Sequence, residues 1–313
     1  MKYKKRLETL FEGRTTDRRR AWFSNRVSTG SMQLHQRGEI GSRIAFISTY
    51  WSGGNAILTP FALGVELARI GFSVVIIATS DQRPDFGAIV KRLEVMGLPV
   101  STFTIMSRAN IGKDFGGYKD AFHYFQAEIA QAEHVFLGND SLVGPLFPSD
   151  YFQRLCDAPS GVWAPTESFD RSYHLQSSHL LFAGREAIDL AQGFFRKYKF
   201  YRNRDNIIRF GEIGISQWCL RQSCLMGAFY PLGLLAEKKK TDVVKGEKKD
   251  FWLDVNSQHF YFDTLLDERF PFVKRELLTT NPMQFHDVYS RVFSRMAELD
   301  QPSDFLFHHF RPI

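Results

Sequence analysis

Residues Asn110 to Pro148 read NIGKDFGGYKDAFHYFQAEIAQAEHVFLGNDSLVGPLFP, and the fold turns on how they are parsed. A glycine-broken turn carrying Lys113 and Asp114 leads into a segment with Tyr118, Phe122, Phe125 and Ile129 at helical spacing. A short apolar run, His134 to Leu137, reads as a buried strand and ends directly in Gly138, Asn139, Asp140 and Ser141. Polar side chains at the carboxyl end of a buried strand, beside a helix, are where open α/β sheets hold ligands.

The residues before this stretch supply the rest of such a sheet. Arg43 to Tyr50 (RIAFISTY) and Ser73 to Ser80 (SVVIIATS) are rich in β-branched and aromatic residues and read as buried strands. Between them Ile57, Phe61, Leu63, Leu67 and Ile70 recur at helical spacing until Gly71 stops the helix. Strand, crossover helix and strand make a parallel βαβ unit, so the chain is assigned to the α/β class with a doubly wound, mostly parallel sheet flanked by helices. After a turn at Asp81 to Pro84, a second helix over Phe86 to Met96 ends at Gly97 and Pro99, and Val100 to Ile105 reads as a third strand. The WSGGN segment after the first strand is either a tight turn or a loop whose backbone amides cradle phosphate. It matches neither the dinucleotide fingerprint nor the P-loop pattern.

Downstream, Tyr151 to Cys156 reads as a short helix and GVWAPTES as a strand running into a polar corner that holds Glu167. HLQSSHLLF, read as one strand, places His174, Gln176 and Ser178 on one face and Leu175, Ser177 and His179 on the other. Polar groups on both faces fit either satisfied core histidines or a site, and the clustering of His174 and Gln176 with Glu167 favours a site. Residues 185 to 199 form a helix. Glu212 stands at the start of the next one, where a carboxylate either caps backbone amides or is held for chemistry. Glu237 to Asp250 reads as a mobile surface loop, and a C-terminal helical extension closes the chain.

Composition bounds the class. The 313 residues are 44% hydrophobic and 15% aromatic, enough for a large core. Cys156, Cys219 and Cys224 follow no CxxC spacing and read as reduced thiols of a cytoplasmic protein. No run approaches the roughly eighteen apolar residues a membrane helix requires. The formal charge of +6 lies wholly in residues 1 to 40, which hold ten Lys/Arg against four Asp/Glu. This basic N-terminal arm, taken as residues 1 to 42 and interleaved with Phe11, Trp22 and Phe23, is either a solvated leader or a contact for an anionic membrane surface. No nucleic-acid motif accompanies it, and no nucleic-acid partner is expected. The absence of a GxSxG elbow, an HExxH helix and a Rossmann fingerprint removes the usual supports for serine hydrolases, zinc proteases and dehydrogenases.

What remains is a set of acids, amides and histidines after strands: Asp114, Asn139, Asp140, Glu167, His174, Glu212 and His259. Such a set suits a sugar nucleotide, whose pyrophosphate needs its charge neutralised and whose hydroxyls need acids or amides to grip them.

Six segments, NIGKDFGGYKD, FLGNDSLVGPLFP, WAPTES, HLQSSHLLF, GEIGIS and FPFVKRELLTTNP, resemble in this order the rhamnan synthesis protein F family. The resemblance spans about Arg43 to Asn281. It implies a GT-A-like glycosyltransferase domain over residues 43 to 281, followed by a C-terminal helix and tail over 282 to 313. The implied activity is transfer of a deoxysugar, rhamnose by the family's association, from a nucleoside-diphosphate sugar to a glycan or lipid-linked glycan of an O-antigen, capsule, lipopolysaccharide or rhamnan. The implied place is cytoplasmic, peripheral at the inner face of the cell membrane.

Position by position, the resemblance marks Asn110, Gly112, Lys113, Asp114, Gly116, Asn139, Asp140 and Ser141 as the donor side. It places His174, Gln176 and Ser177 against the sugar or acceptor. Glu212, with Glu167 as the second candidate, becomes the base that takes the acceptor proton. Asn139-Asp140 stands where other GT-A enzymes keep a DxD motif, with Gly138 in the place of the first acid. Asp140 and His259 are then the candidate ligands for a divalent cation, Mg or Mn. Two other readings stay open: a non-catalytic carbohydrate-binding or assembly subunit of a polysaccharide synthesis and export complex, and a different nucleotide-dependent enzyme on the same sheet.

Overall fold

A computed structural model of the chain describes residues 32–51, 58–80, 85–95, 97, 99–239 and 255–299. The basic arm up to residue 31, the WSGGN segment after Trp51, the turn at Asp81 to Pro84, most of the lysine-rich loop and the C-terminal tail lie outside the described residues.

The strands in chain order are β1 (Gln33–Gln36), β2 (Arg43–Trp51), β3 (Ser73–Ser80), β4 (Thr104–Ala109), β5 (His134–Asn139), β6 (Leu142–Val143), β7 (Gly161–Ala164), β8 (Glu167–Ser168), β9 (His174–Leu175), β10 (His179–Ala183), β11 (Met226–Ala228) and β12 (Val273–Lys274). Eight of them form one sheet in the order β1-β4-β3-β2-β5-β10-β7-β11. Pairing is parallel from β4 through β3 and β2 to β5 and again between β7 and β11; β1 and β10 run the other way. The expected α/β architecture, a mostly parallel sheet flanked by helices with a C-terminal helical extension, is the one found.

Burial on both faces explains the near-continuous apolar strands. Ala45, Ile47, Ile76 and Ala78 pack on one side with Phe61 and Leu63 of the Thr59–Arg69 helix. Ile44, Phe46, Val75 and Ile77 pack on the other with Tyr118, Phe122 and Phe125, the apolar stripe of the Lys113–Tyr124 helix and the residue after it. A third cluster joins Val143, Phe147, Phe262 and Val273 to Val288, Val292 and Met296 of the final Val288–Glu298 helix.

Several local expectations shift. Val100–Thr102 is a 3₁₀ turn and the third strand runs from Thr104 to Ala109, further along than the apolar residues suggest. Gln33–Gln36, inside the stretch read as an arm, pairs antiparallel with β4 as an edge strand. HLQSSHLLF is not one strand: β9 and β10 flank a turn at residues 176–178, so the two-face assignment of its polar residues does not hold. GVWAPTES is likewise split, into β7 and β8 about Pro165, which has no N–H to give a ladder.

Candidate functional site

The chain winds from β2 outward to β3 and β4, then returns to the other side of β2 as β5. The carboxyl ends of β2 and β5 are therefore a topological switch point, the place where open α/β sheets hold ligands. Ser48, Thr49 and Tyr50 come from β2; Asn139 closes β5, with Asp140 and Ser141 next in the chain.

Asp114 enters from the first turn of the Lys113–Tyr124 helix. Gly112 precedes that helix with φ 76°, a left-handed conformation suited to glycine. Gly116 is equally constrained, since a Cβ there would lie 2.0 Å from the Ile111 carbonyl oxygen. Both glycines thus serve the tight entry into the helix. Lys113 is exposed with φ 52°, and Asn110 Oδ1 is buried without a hydrogen-bond partner among the described residues.

Asn139 is the hub of the residues expected on the donor side. Its Nδ2 donates to Asp114 Oδ2 at 2.9 Å, while its Oδ1 accepts from Ser141 N at 3.1 Å and Ser141 Oγ at 2.5 Å. Burial pushes Asp114 above the usual carboxylate range, opposed by the amide of Phe115 and Asn139 and reinforced by the negative charges of Glu212 and Asp140. Asp140 Oδ2 accepts from the Tyr50 amide at 2.8 Å and Thr49 Oγ1 at 3.3 Å, with Arg275 Nη1 3.7 Å away.

Glu212 lies in a π turn over Ile208–Glu212 that precedes the Ile213–Arg221 helix. Its carboxylate makes no hydrogen bond to that helix's amides; Oε1 accepts instead from Ser177 N at 2.9 Å. Gln176 is buried behind it, its Oε1 accepting from Thr166 Oγ1 at 2.8 Å and Gln258 N at 3.2 Å. Gln258 Nε2 then donates to Ser178 Oγ at 2.6 Å. The turn that breaks HLQSSHLLF is what aims the Ser177 amide at Glu212.

The structure adds a residue that sequence reading passed over. Lys274 ends β12, and its Nζ donates to Ser141 Oγ at 3.2 Å and Gln258 Oε1 at 3.3 Å. Burial lowers its pKa, and the charges of Glu212, Glu276 and Asp114 draw it back up. Asp114, Asn139, Ser141, Gln258 and Glu212 are thereby grouped about one ammonium. Lys274 lies in FPFVKRELLTTNP, where a lone lysine next to an arginine reads as an ordinary surface charge until β12 is paired with β6.

Other candidates sit apart. Glu167 accepts from the Leu232 amide at 3.1 Å, at the start of the Leu232–Lys239 helix, and from Tyr173 OH at 3.1 Å. His174 is buried and donates from Nδ1 to the Ser172 carbonyl at 2.9 Å. His259 Nε2 lies 3.2 Å from Glu276 Oε2; burial and then Lys274 depress its pKa to about 4.

Among the described residues no group of three or more His, Cys, Asp or Glu side chains is placed to hold a metal ion. Asp140 faces an amide and a guanidinium, and His259 faces Glu276. Among the described residues, Asp140 and His259 are therefore not brought together as a protein-built metal site. Gly138 is also no vacated ligand: a Cβ there would lie 2.9 Å from Phe136 Cε1 and 3.2 Å from Leu63 Cδ2, so an acid would enter the apolar core. A surface recess of about 380 Å³ lined by Lys119, Phe122, His123 and Gln192 shares no residue with the strand-end cluster.

No family model matches the chain. It is 25% identical over 216 residues to the virulence protein VirA of Vibrio anguillarum, covering 62% of this chain and 68% of that protein. It is 31% identical over 119 residues to the uncharacterized protein y4gN of Sinorhizobium fredii (strain NBRC 101917 / NGR234), covering 36% of this chain and 31% of that one. Among solved structures, the apo WbbM bifunctional glycosyltransferase is similar over 56% of this chain and 38% of its own, with TM-score 0.30 and 11% identity. The chain therefore spans about a third of y4gN and well under half of WbbM. Likeness this low fixes neither fold nor activity.

Proposed function

We propose that this protein is a glycosyltransferase of GT-A-like architecture that moves a sugar from a nucleoside diphosphate to an acceptor hydroxyl. One observation carries the reading: at the switch point of a mostly parallel sheet, the acids Asp114, Asp140 and Glu212 converge with the amides Asn139, Gln176 and Gln258. Acids and amides at one site are what ribose and sugar hydroxyls require, and a fixed carboxylate is what an acceptor hydroxyl requires. Asn139, Asp114 and Asp140 form the donor side. Glu212, its Oε1 held by the Ser177 amide, takes the acceptor proton as the C–O bond to the diphosphate breaks. Glu167, committed to a helix start and to Tyr173, is left out of the catalytic role.

The six motif segments support the finer reading: a deoxysugar such as rhamnose as donor, and a growing surface polysaccharide, glycan or lipid-linked, as acceptor. Its place is cytoplasmic and peripheral, with the arm of residues 1 to 40 on an anionic membrane surface. Among the described residues no helix is long and apolar enough to cross a membrane.

Incubation with labelled nucleotide sugars, followed by separation of free nucleotide and product, tests this reading. Release of nucleoside diphosphate that depends on Asp140 and Glu212 supports it. Tight nucleotide binding without turnover under any acceptor condition would favour the non-catalytic carbohydrate-binding or assembly subunit. Binding of no nucleotide would remove the donor site.

A further inference from the structure

A diphosphate entering this site meets a surface already rich in carboxylates, so something must supply positive charge. The ribbon formed by β6 and β12 brings it. Val273 pairs with Val143 and Lys274 with Leu142, and the Arg275 amide donates to the Ser141 carbonyl at 2.9 Å. We propose that Lys274 and Arg275, held by this ribbon beside Asp140 and Ser141, receive the donor's diphosphate directly, in place of a protein-bound divalent cation. The inference rests on the donor-site reading above.

Three features of the geometry support it. Lys274 has three N–H donors, and its two contacts, at 3.2 and 3.3 Å, go to neutral oxygens rather than to a carboxylate. Arg275 is 3.7 Å from Asp140 Oδ2, beyond hydrogen-bond range, and its Nη2 has no hydrogen-bond partner among the described residues. A guanidinium fork left in this way matches phosphate oxygens. The neighbouring acids are meanwhile engaged: Glu276 accepts from Arg204 Nη2 at 2.9 Å, and Asp140 accepts from the Tyr50 amide.

Asp114, Asp140, Glu212 and Glu276 face Lys274, Arg275 and Arg204, with His259 depressed into its neutral form at pH 7. Asp114, already raised by burial, is raised further by any negative charge that arrives beside it.

Isothermal titration of the full chain with UDP, TDP and GDP and the matching monophosphates, in EDTA and again in Mg²⁺, tests the proposal. At least one diphosphate is expected to bind in EDTA. Lys274→Met should weaken that diphosphate by about tenfold or more while barely changing the monophosphate, and Lys274→Arg should recover most of the loss. Should Lys274→Met fail to fold, as a melting curve would reveal, Arg275→Met, near the rim, carries the same expectation. Binding that needs Mg²⁺, or unchanged diphosphate affinity in both methionine variants, overturns the inference but leaves the donor site standing. Wild-type protein that binds no nucleotide in either buffer overturns both.

Discussion

Lys119 and Lys274 are both lysines drawn into the protein, and burial lowers the pKa of both. Lys119 is closed in: its Nζ donates to the carbonyls of Phe195 at 2.9 Å, Arg196 at 3.4 Å and Tyr198, at and just beyond the end of the Arg185–Lys197 helix. Those oxygens carry the negative end of the helix dipole, so the ammonium clasps two helices together. Beside it Arg108 Nε meets Asp120 Oδ2 at 2.7 Å, both side chains wholly buried. The pair at the strand ends is loose by contrast, Arg275 and Asp140 standing 3.7 Å apart with 26% and 19% of their side chains exposed. Each guanidinium leaves one nitrogen without a hydrogen-bond partner among the described residues, Arg108 Nη1 and Arg275 Nη2, so what separates the two regions is burial and the closeness of the ion pair.

That contrast can be broken by substitution. Glu212→Gln should reduce turnover by about 10²- to 10⁴-fold, the usual worth of a positioned base, with nucleotide affinity and melting temperature unchanged. Equal loss of nucleotide affinity in titration would move Glu212 to the donor side. In the clasp, Asp120→Ala leaves Arg108 charged, buried and unpaired and should cost about 3–5 kcal/mol in denaturant unfolding. Replacing both partners with apolar residues, Arg108→Met with Asp120→Leu, should recover most of that loss; failure to do so would mean the pair does more than satisfy itself.

Two smaller effects sharpen the border between the regions. Gly138→Ala should destabilise by about 1–3 kcal/mol through overpacking against Phe136 and Leu63. Gly138→Asp should be worse and should create no Mn²⁺ site, which Mn²⁺ titration followed by electron paramagnetic resonance would check. His179, paired with Gly138 across β5 and β10 and bonded through Nδ1 to Tyr151 OH at 2.9 Å, is pushed down to about 3 by burial and then by Lys274. A folded-state pKa below the ordinary 6.5 makes its contribution complete above that value and progressively lost as pH falls from 6.5 towards 3. His179→Gln should flatten the pH dependence of unfolding across that window by about 1.4 kcal/mol per pH unit.

Much of the fold was legible because its signals are local. Continuous β-branched and aromatic runs in β2 and β3, and helical spacing from Tyr118 to Phe125, are signals carried within one element. The strand ending at Asn139 marked the site for the same reason. Where polar residues interrupted a run the reading slipped: Val100 and Phe103 suggested a strand one turn too early, and the Gln176–Ser178 turn hid inside HLQSSHLLF.

The amino-acid sequence by itself determined the α/β class, the parallel strands and the polar strand end at Asn139 and Asp140. Only the tertiary structure decided which distant groups meet there. Lys274 reaches Ser141 across 133 residues because β12 pairs with β6, and Ser177 reaches Glu212 because a turn replaces a strand. Gly138 proves to be a packing requirement rather than a missing ligand, because the space beside its Cα is filled by Phe136 of its own strand and by Leu63 from another element. Periodicity reports the face on which a side chain lies, whereas contact between charged groups depends on loop closure and strand register, which no local pattern encodes.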